Sequence, residues 1–168
     1  FETILHLKAD VLALQEVEAA RLDRLLGHLA SASMPMHVHH AGRATKPDGV
    51  TILSRAPFLQ TSLVPFDAGE PGAYPRVSAL ATMMLDGRPV GIASTHLRWQ
   101  GREVPPAVHQ GRRQLIALFD AIEQVDPTIP WIVCGDFNAN SQSTVLQAAY
   151  DRGWELSCRT QRPWDTVN

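Results

Sequence analysis

Lysine, cysteine and long apolar runs are all scarce in this chain, and each shortage excludes something. Lysine occurs only as Lys8 and Lys46, and the formal net charge is −2. Tight charge-driven binding to duplex nucleic acid needs many cations on one face, and this balance argues mildly against it. A local exception follows residue 97, where Arg98, Arg102, His109, Arg112 and Arg113 crowd together. Arginine in place of lysine, with many alanines, is a compositional hint of a GC-rich bacterial genome. The two cysteines, Cys134 and Cys158, have no metal-ligand spacing and cannot build a disulfide framework. Cys134 lies in an apolar run and reads as a small hydrophobic residue. No apolar run approaches the length of a membrane span, and no signal-peptide pattern is visible. A soluble chain is therefore expected, with the cytoplasm favoured. The first residue is Phe1 rather than Met, so an N-terminus cut upstream is expected and the compartment stays open. Repeats, low-complexity tracts and linkers are also missing.

What the chain does have is a packed-domain composition: 168 residues, 45% hydrophobic. That is enough for one domain with a substantial core, taken as residues 1–168. Residues 1–7 read as the tail of a helix. Leu22, Leu25, Leu26 and Leu29 form the apolar stripe of a helix over 19–30. Strands are expected at 34–41, 49–54, 58–64, 77–85 and 88–96. Those at 49–54 and 58–64 are joined near Ala56-Pro57, and Asp86-Gly87 joins the last two as a hairpin. Leu115, Leu118, Phe119 and Ile122 mark a long helix over 107–125. A short helix over 144–151 follows, and residues 154–158 are a candidate last strand. Hairpins mixed with strand–helix units point to mixed sheets with helices outside.

Three apolar strands end in polar chemistry. Asp10-Val11-Leu12-Ala13-Leu14-Gln15-Glu16-Val17 delivers a carboxylate, a hard oxygen ligand suited to Mg²⁺ or Mn²⁺. Val90-Gly91-Ile92-Ala93-Ser94-Thr95-His96-Leu97 delivers an imidazole. Trp131-Ile132-Val133-Cys134, read as a buried strand, runs into Gly135-Asp136-Phe137-Asn138. Asp136 can accept a proton or hold a metal, and the Asn138 amide can donate to an oxyanion. Strand ends feeding loops in this way are where α/β enzymes build sites.

Leu14-Gln15-Glu16, Gly49-Val50-Thr51-Ile52-Leu53-Ser54-Arg55, Thr95-His96-Leu97 and Gly135-Asp136-Phe137-Asn138 stand in this order. Together they resemble the endonuclease/exonuclease/phosphatase superfamily, the deoxyribonuclease I-like fold. The resemblance runs from the first residues to about Ser143. It implies an α/β (α+β) four-layer sandwich, in which two mixed β-sheets are flanked by helices. It also implies a divalent-metal-dependent hydrolase of phosphoester bonds, using Mg²⁺ or Mn²⁺. Glu16 would hold the metal, Asp136 would orient or deprotonate the attacking water, and Asn138 would contact the phosphate. His96 would donate to the phosphoryl or leaving oxygen, as in the phosphodiesterase members. Arg76, just before a strand, is a candidate phosphate contact because a guanidinium forks onto oxyanions.

Each residue also has a plainer reading. Glu16 can mark a strand end, Asp136 and Asn138 can form turns, and His96 can be a satisfied core histidine. Arg98 and Trp99 fit a surface loop better than a substrate contact. His37, His39 and His40 lack a supporting carboxylate and are not taken as a metal site. Asp10 reads as structural, and Asn140, Ser141 and Ser143 as caps of the following helix. Two elements of the resembled family are missing: an opening strand ending in Asn, and a closing S-D-H segment with an earlier Asp. Asp165 is not promoted to that role. The chain thus reads as the middle of a longer enzyme, incomplete at both ends, which leaves its own activity open. Its exposed sheet edges would invite self-association. A phosphodiesterase or nuclease is favoured, acting on nucleic acid or a lipid headgroup. A phosphomonoesterase and a non-catalytic interaction domain are the alternatives.

Overall fold

The computed structural model describes residues 2–34, 36–43, 46–67, 69 and 74–157. After a short helix α1 (Glu2–Leu7) come β1 (Val11–Glu18), α2 (Ala19–Ser31), β2 (His37–Gly42) and β3 (Asp48–Ser54). Then follow β4 (Phe58–Phe66), β5 (Arg76–Leu85), β6 (Arg88–His96), α3 (Gln110–Val125), β7 (Trp131–Asp136) and α4 (Thr144–Tyr150). One sheet has the order β1-β3-β2 and is antiparallel; the other has the order β4-β5-β6-β7, with β6 and β7 parallel.

The two sheets face each other across an apolar layer of Ala41, Val50, Ile52, Val77, Ala79, Ala81, Met83 and Ile92. On the outer face of the first sheet, Leu22, Leu25 and Leu29 of α2 pack on Leu12 and Leu53. That is the stripe expected from the leucine spacing. On the outer face of the second sheet, Leu115, Leu118, Phe119 and Ile122 of α3 pack on Leu80 and Ala93. Each such buried side chain contributes on the order of 2 kcal/mol. Helix, sheet, sheet, helix gives the four layers.

The parallel β6–β7 pair needs a crossover, and α3 supplies it. Asp86 and Gly87 both have positive φ, 49° and 74°. This is the conformation a two-residue hairpin turn of the I′ type demands, and it links β5 to β6. Residues 54–58 instead carry the chain from one sheet to the other.

Several details differ from the sequence reading. Helix α3 starts at Gln110, because Pro105 and Pro106 open a turn first and His109 serves as its N-cap, its ring accepting from Arg112 N. Strand β7 is not buried: it is the last strand of its sheet among the described residues, and Ile132 is 52% exposed. Its alternate residues Trp131 and Val133 pack against the α3 layer. Residues 154–157 form no strand; Trp154 stacks on Phe119 with ring centroids 4.6 Å apart, plugging the outer core. Cys158 lies outside the described residues. Among the described residues no helix is long and apolar enough to cross a membrane.

Candidate active site

Glu16, His96 and Asp136 come together at one end of the sandwich, although they belong to different sheets. His96 closes β6 and Asp136 closes β7, and the two are register partners across the parallel pair. The His96 Nε2 atom lies 3.7 Å from Asp136 Oδ2. On the other side of the ring, Nδ1 lies 3.9 Å from Glu16 Oε1. Neither distance is a hydrogen bond. They place one imidazole between two carboxylates that are each more than half exposed, while His96 itself is only 8% exposed.

Glu16 reaches this position through a β-bulge. The β1–β3 register passes from Gln15↔Val50 to Val17↔Gly49, leaving Glu16 without a partner. Its φ is +56°, a left-handed conformation uncommon for a residue with a side chain. Leu12, Leu14 and Val17 all pack toward α2. In a straight strand Glu16 would share the face of Leu12 and Leu14, beneath the helix and away from the second sheet. The extra residue breaks that alternation and re-aims the carboxylate, which is a common use of a bulge beside a site.

Asn138 also has a positive φ, +48°. Its backbone N–H donates to Asp136 Oδ1 at 2.8 Å, and its side-chain Nδ2 donates to Leu97 O at 2.8 Å. The Asp136-Phe137-Asn138 turn is thus tied to the residue after His96, and Leu97 N–H returns a bond of 2.9 Å to Asp136 O. Arg76 is the first residue of β5, half-buried at the same end of the sheet. Burial pushes its pKa down, followed by the nearby charge of Arg43; the charges of Glu16 and Asp48 pull it back up. His96 is likewise pushed below the ordinary imidazole value, first by burial and then by the Arg76 charge, against the pull of Asp136 and Glu16. That direction favours the neutral ring, which has one N–H to donate.

Arg43 carried no sequence signal, yet its buried guanidinium forms a two-pronged pair with Asp48 at the loop end of the β2–β3 hairpin. Only the fold brings it near Arg76 and His96. The other candidates settle as follows. Arg98 and Trp99 lie on the segment leaving β6, with Trp99 exposed. His39 Nε2 bonds to Ser62 O at 2.7 Å, and His40 Nδ1 bonds to Thr51 Oγ1 at 2.8 Å. Asp10 and Arg55 meet at the opposite end of β1 from Glu16. Ser143 caps α4 by accepting from Leu146 N, whereas Asn140 accepts from Gln142 N in the turn before it. Ser141 offers only its carbonyl, to the Tyr150 hydroxyl. Cys134 is half-buried, and burial pushes its thiol pKa up.

Among the described residues, no three His, Cys, Asp or Glu side chains converge as a metal cage. The donor set still fits one kind of ion. Mg²⁺ and Mn²⁺ prefer oxygen, and Mg²⁺ commonly keeps several waters while bound through one or two carboxylates. The exposed Glu16 carboxylate offers that chemistry.

A fold of two facing sheets with helices outside and a Glu–His–Asp cluster at one end defines a class of protein. The family model described as "Endonuclease/Exonuclease/phosphatase family" matches residues 1–168, and the chain belongs to that family. Solved structures agree in fold. One from Bacteroides vulgatus, an endonuclease/exonuclease/phosphatase, matches with a TM-score of 0.72 and 17% identity over 89% of this chain and 60% of that one. The human Nocturnin catalytic domain with bound sulfate anion matches with a TM-score of 0.70 and 22% identity, covering 87% and 57%. ANGEL2, a 2′,3′-cyclic phosphatase, matches with a TM-score of 0.67 and 24% identity, covering 96% and 52%. The chain thus spans between half and about three fifths of those structures. No curated protein matches it in sequence.

Proposed function

We propose that the full-length protein is a divalent-metal-dependent hydrolase of phosphodiester bonds, acting by in-line attack of water on phosphorus. The observation that carries this reading is that His96 lies within 3.9 Å of both Glu16, from the other sheet, and Asp136, from its own. Family membership supports hydrolysis of a phosphoester. The human Nocturnin catalytic domain, similar in fold, carries a bound sulfate anion, which supports a tetrahedral anion as a ligand of this fold.

Glu16 would hold Mg²⁺ or Mn²⁺, whose chemistry is to withdraw charge from a phosphoryl oxygen. Asp136 takes the role of general base or orienting group for the attacking water, since its carboxylate is exposed and held by the Asn138 N–H. Asn138 retains donor capacity beyond its bond to Leu97 and supports the charge that grows on the phosphoryl oxygens. His96, almost fully enclosed, donates its N–H to a phosphoryl or leaving oxygen. Arg76 neutralises a non-bridging oxygen. A diester is favoured over a monoester because His96 completes the Thr95-His96-Leu97 pattern of the phosphodiesterase branch. Nucleic acid and lipid headgroups both remain substrates of this chemistry.

The test is hydrolysis of bis-p-nitrophenyl phosphate by the full-length protein with Mg²⁺ or Mn²⁺. Asp136→Ala should lower the rate by about 10³-fold or more, the scale expected when a general base is lost together with its orienting effect. A variant that stays folded and keeps its activity would refute the mechanism and leave a binding domain as the better reading.

A further inference from the structure

The catalytic cluster is assembled across a gap between two sheets, and apolar packing alone is a poor way to hold such a gap. Hydrophobic contact is non-directional, so it sets the spacing of the layers but not their slide or twist. Directional ties are needed to place Glu16 against His96 and Asp136. One set of side-chain hydrogen bonds crosses the gap beside the site. Gln15 Nε2 donates to Ser94 Oγ at 3.2 Å. Ser94 Oγ in turn donates to the backbone carbonyl of Leu14 at 3.4 Å. Ser94 is fully buried. Its hydroxyl therefore both accepts and donates, and β6 is held to two consecutive residues of β1.

The placement matters more than the count. Gln15 is the last β1 residue in register before the bulge, and Glu16 is the bulged residue. Ser94 stands two residues before His96, and its register partner Cys134 stands two before Asp136. A bulge at left-handed φ is a strained feature that persists only when its surroundings over-determine it. The Gln15–Ser94–Leu14 bridge grips the strand immediately before that feature.

We propose that Gln15 and Ser94 are positioning residues, whose bridge between the sheets sets the Glu16 carboxylate in register with His96 and Asp136 and so tunes divalent-cation binding. The proposal rests on the functional reading above, because it assumes that Glu16 holds the cation.

The test uses the full-length protein and two readouts: Mn²⁺ affinity by electron paramagnetic resonance, and kcat and KM for bis-p-nitrophenyl phosphate. Ser94→Ala and Gln15→Leu should each weaken Mn²⁺ binding and lower kcat by about 10- to 100-fold, the range usual for groups that orient a metal ligand. KM should change little. The double variant should be no worse than the poorer single one, since both break one bridge. Ser54→Ala is the control: its hydroxyl bonds to Met83 Sδ at 3.3 Å across the same gap, but at the opposite end of β1 from Glu16. It should cost thermal stability while leaving Mn²⁺ affinity and kcat unchanged. If Ser94→Ala and Gln15→Leu behave like Ser54→Ala, the bridge is only structural and the proposal falls. Glu16→Gln separates the two readings: if it leaves Mn²⁺ affinity intact, the metal role of Glu16 fails, whatever the bridge does.

Discussion

Replacing Gly135 by alanine would test how closely β6 and β7 must run for the site to form. Gly135 has φ +138°, a conformation that L side chains rarely adopt. A Cβ built there would lie 2.0 Å from the backbone oxygen of Thr95, its register partner, where real Cβ contacts essentially never fall under 3.0 Å. The strands must then part by about 1 Å, the difference between those two distances. His96 and Asp136 are the next pair along, 3.7 Å apart at Nε2 and Oδ2, and they would separate by a similar amount. Misplacing catalytic groups by about 1 Å can cost on the order of 100-fold in rate. The strained backbone adds about 1–3 kcal/mol of destabilisation. At roughly 2–4 °C per kcal/mol, the melting temperature should fall by about 2–12 °C. The assay is diester hydrolysis at a temperature well below that melt, alongside thermal denaturation followed by circular dichroism. Gly135→Ala with unchanged kcat and unchanged Tm would refute both the close approach and its part in the site.

The outer core and the histidines of β2 give two further tests. Leu118→Ala removes a side chain with no exposure from the α3 layer and should cost about 2–5 kcal/mol in chemical denaturation; a loss under 1 kcal/mol would mean the layer collapses around the gap. His40 is held below the ordinary imidazole pKa by burial and then by the neighbouring charge of His39. The unfolded chain therefore takes up its proton first as pH falls. This contribution to stability is present above about pH 6.5 and is lost as pH drops from there toward the lowered folded value. His40→Asn should flatten that part of the stability profile, and an unchanged slope would assign the acid sensitivity elsewhere.

Much of the fold was legible because its elements declare themselves locally. The leucine stripe of α2 and the Leu115–Ile122 stripe of α3 fix which faces turn inward, and Asp86-Gly87 fixes a hairpin. Period alone could not say which sheet each strand joins. Strands β3 and β4 are neighbours in sequence but lie in different sheets. Strand β7 misled for a related reason: an apolar tetrapeptide cannot declare whether it has one strand neighbour or two. Residues 154–157 misled because Trp154 is apolar for packing on Phe119, not for pairing in a sheet.

The site divides along the same line. Glu16, His96, Asp136 and Asn138 could be picked out as candidates because each follows an apolar strand, and a polar residue at a strand end is a local pattern. Their geometry was not visible, because it depends on a break in that pattern. Strict alternation along β1 assigns Glu16 to the face of Leu12 and Leu14, under α2, where it could not approach a histidine on the other sheet. The bulge reverses this, and its only local trace is Val17 taking the inward-to-helix place that a straight strand would give residue 16. That trace becomes readable only once the face covered by α2 is known. The same holds for Arg43, whose charge bears on His96 through a hairpin end far from it in sequence. Candidate residues can be named from strands taken singly, but the distances between them come from how two sheets are tied together. The Gln15–Ser94 bridge and the Glu16 bulge are where this chain fixes those distances.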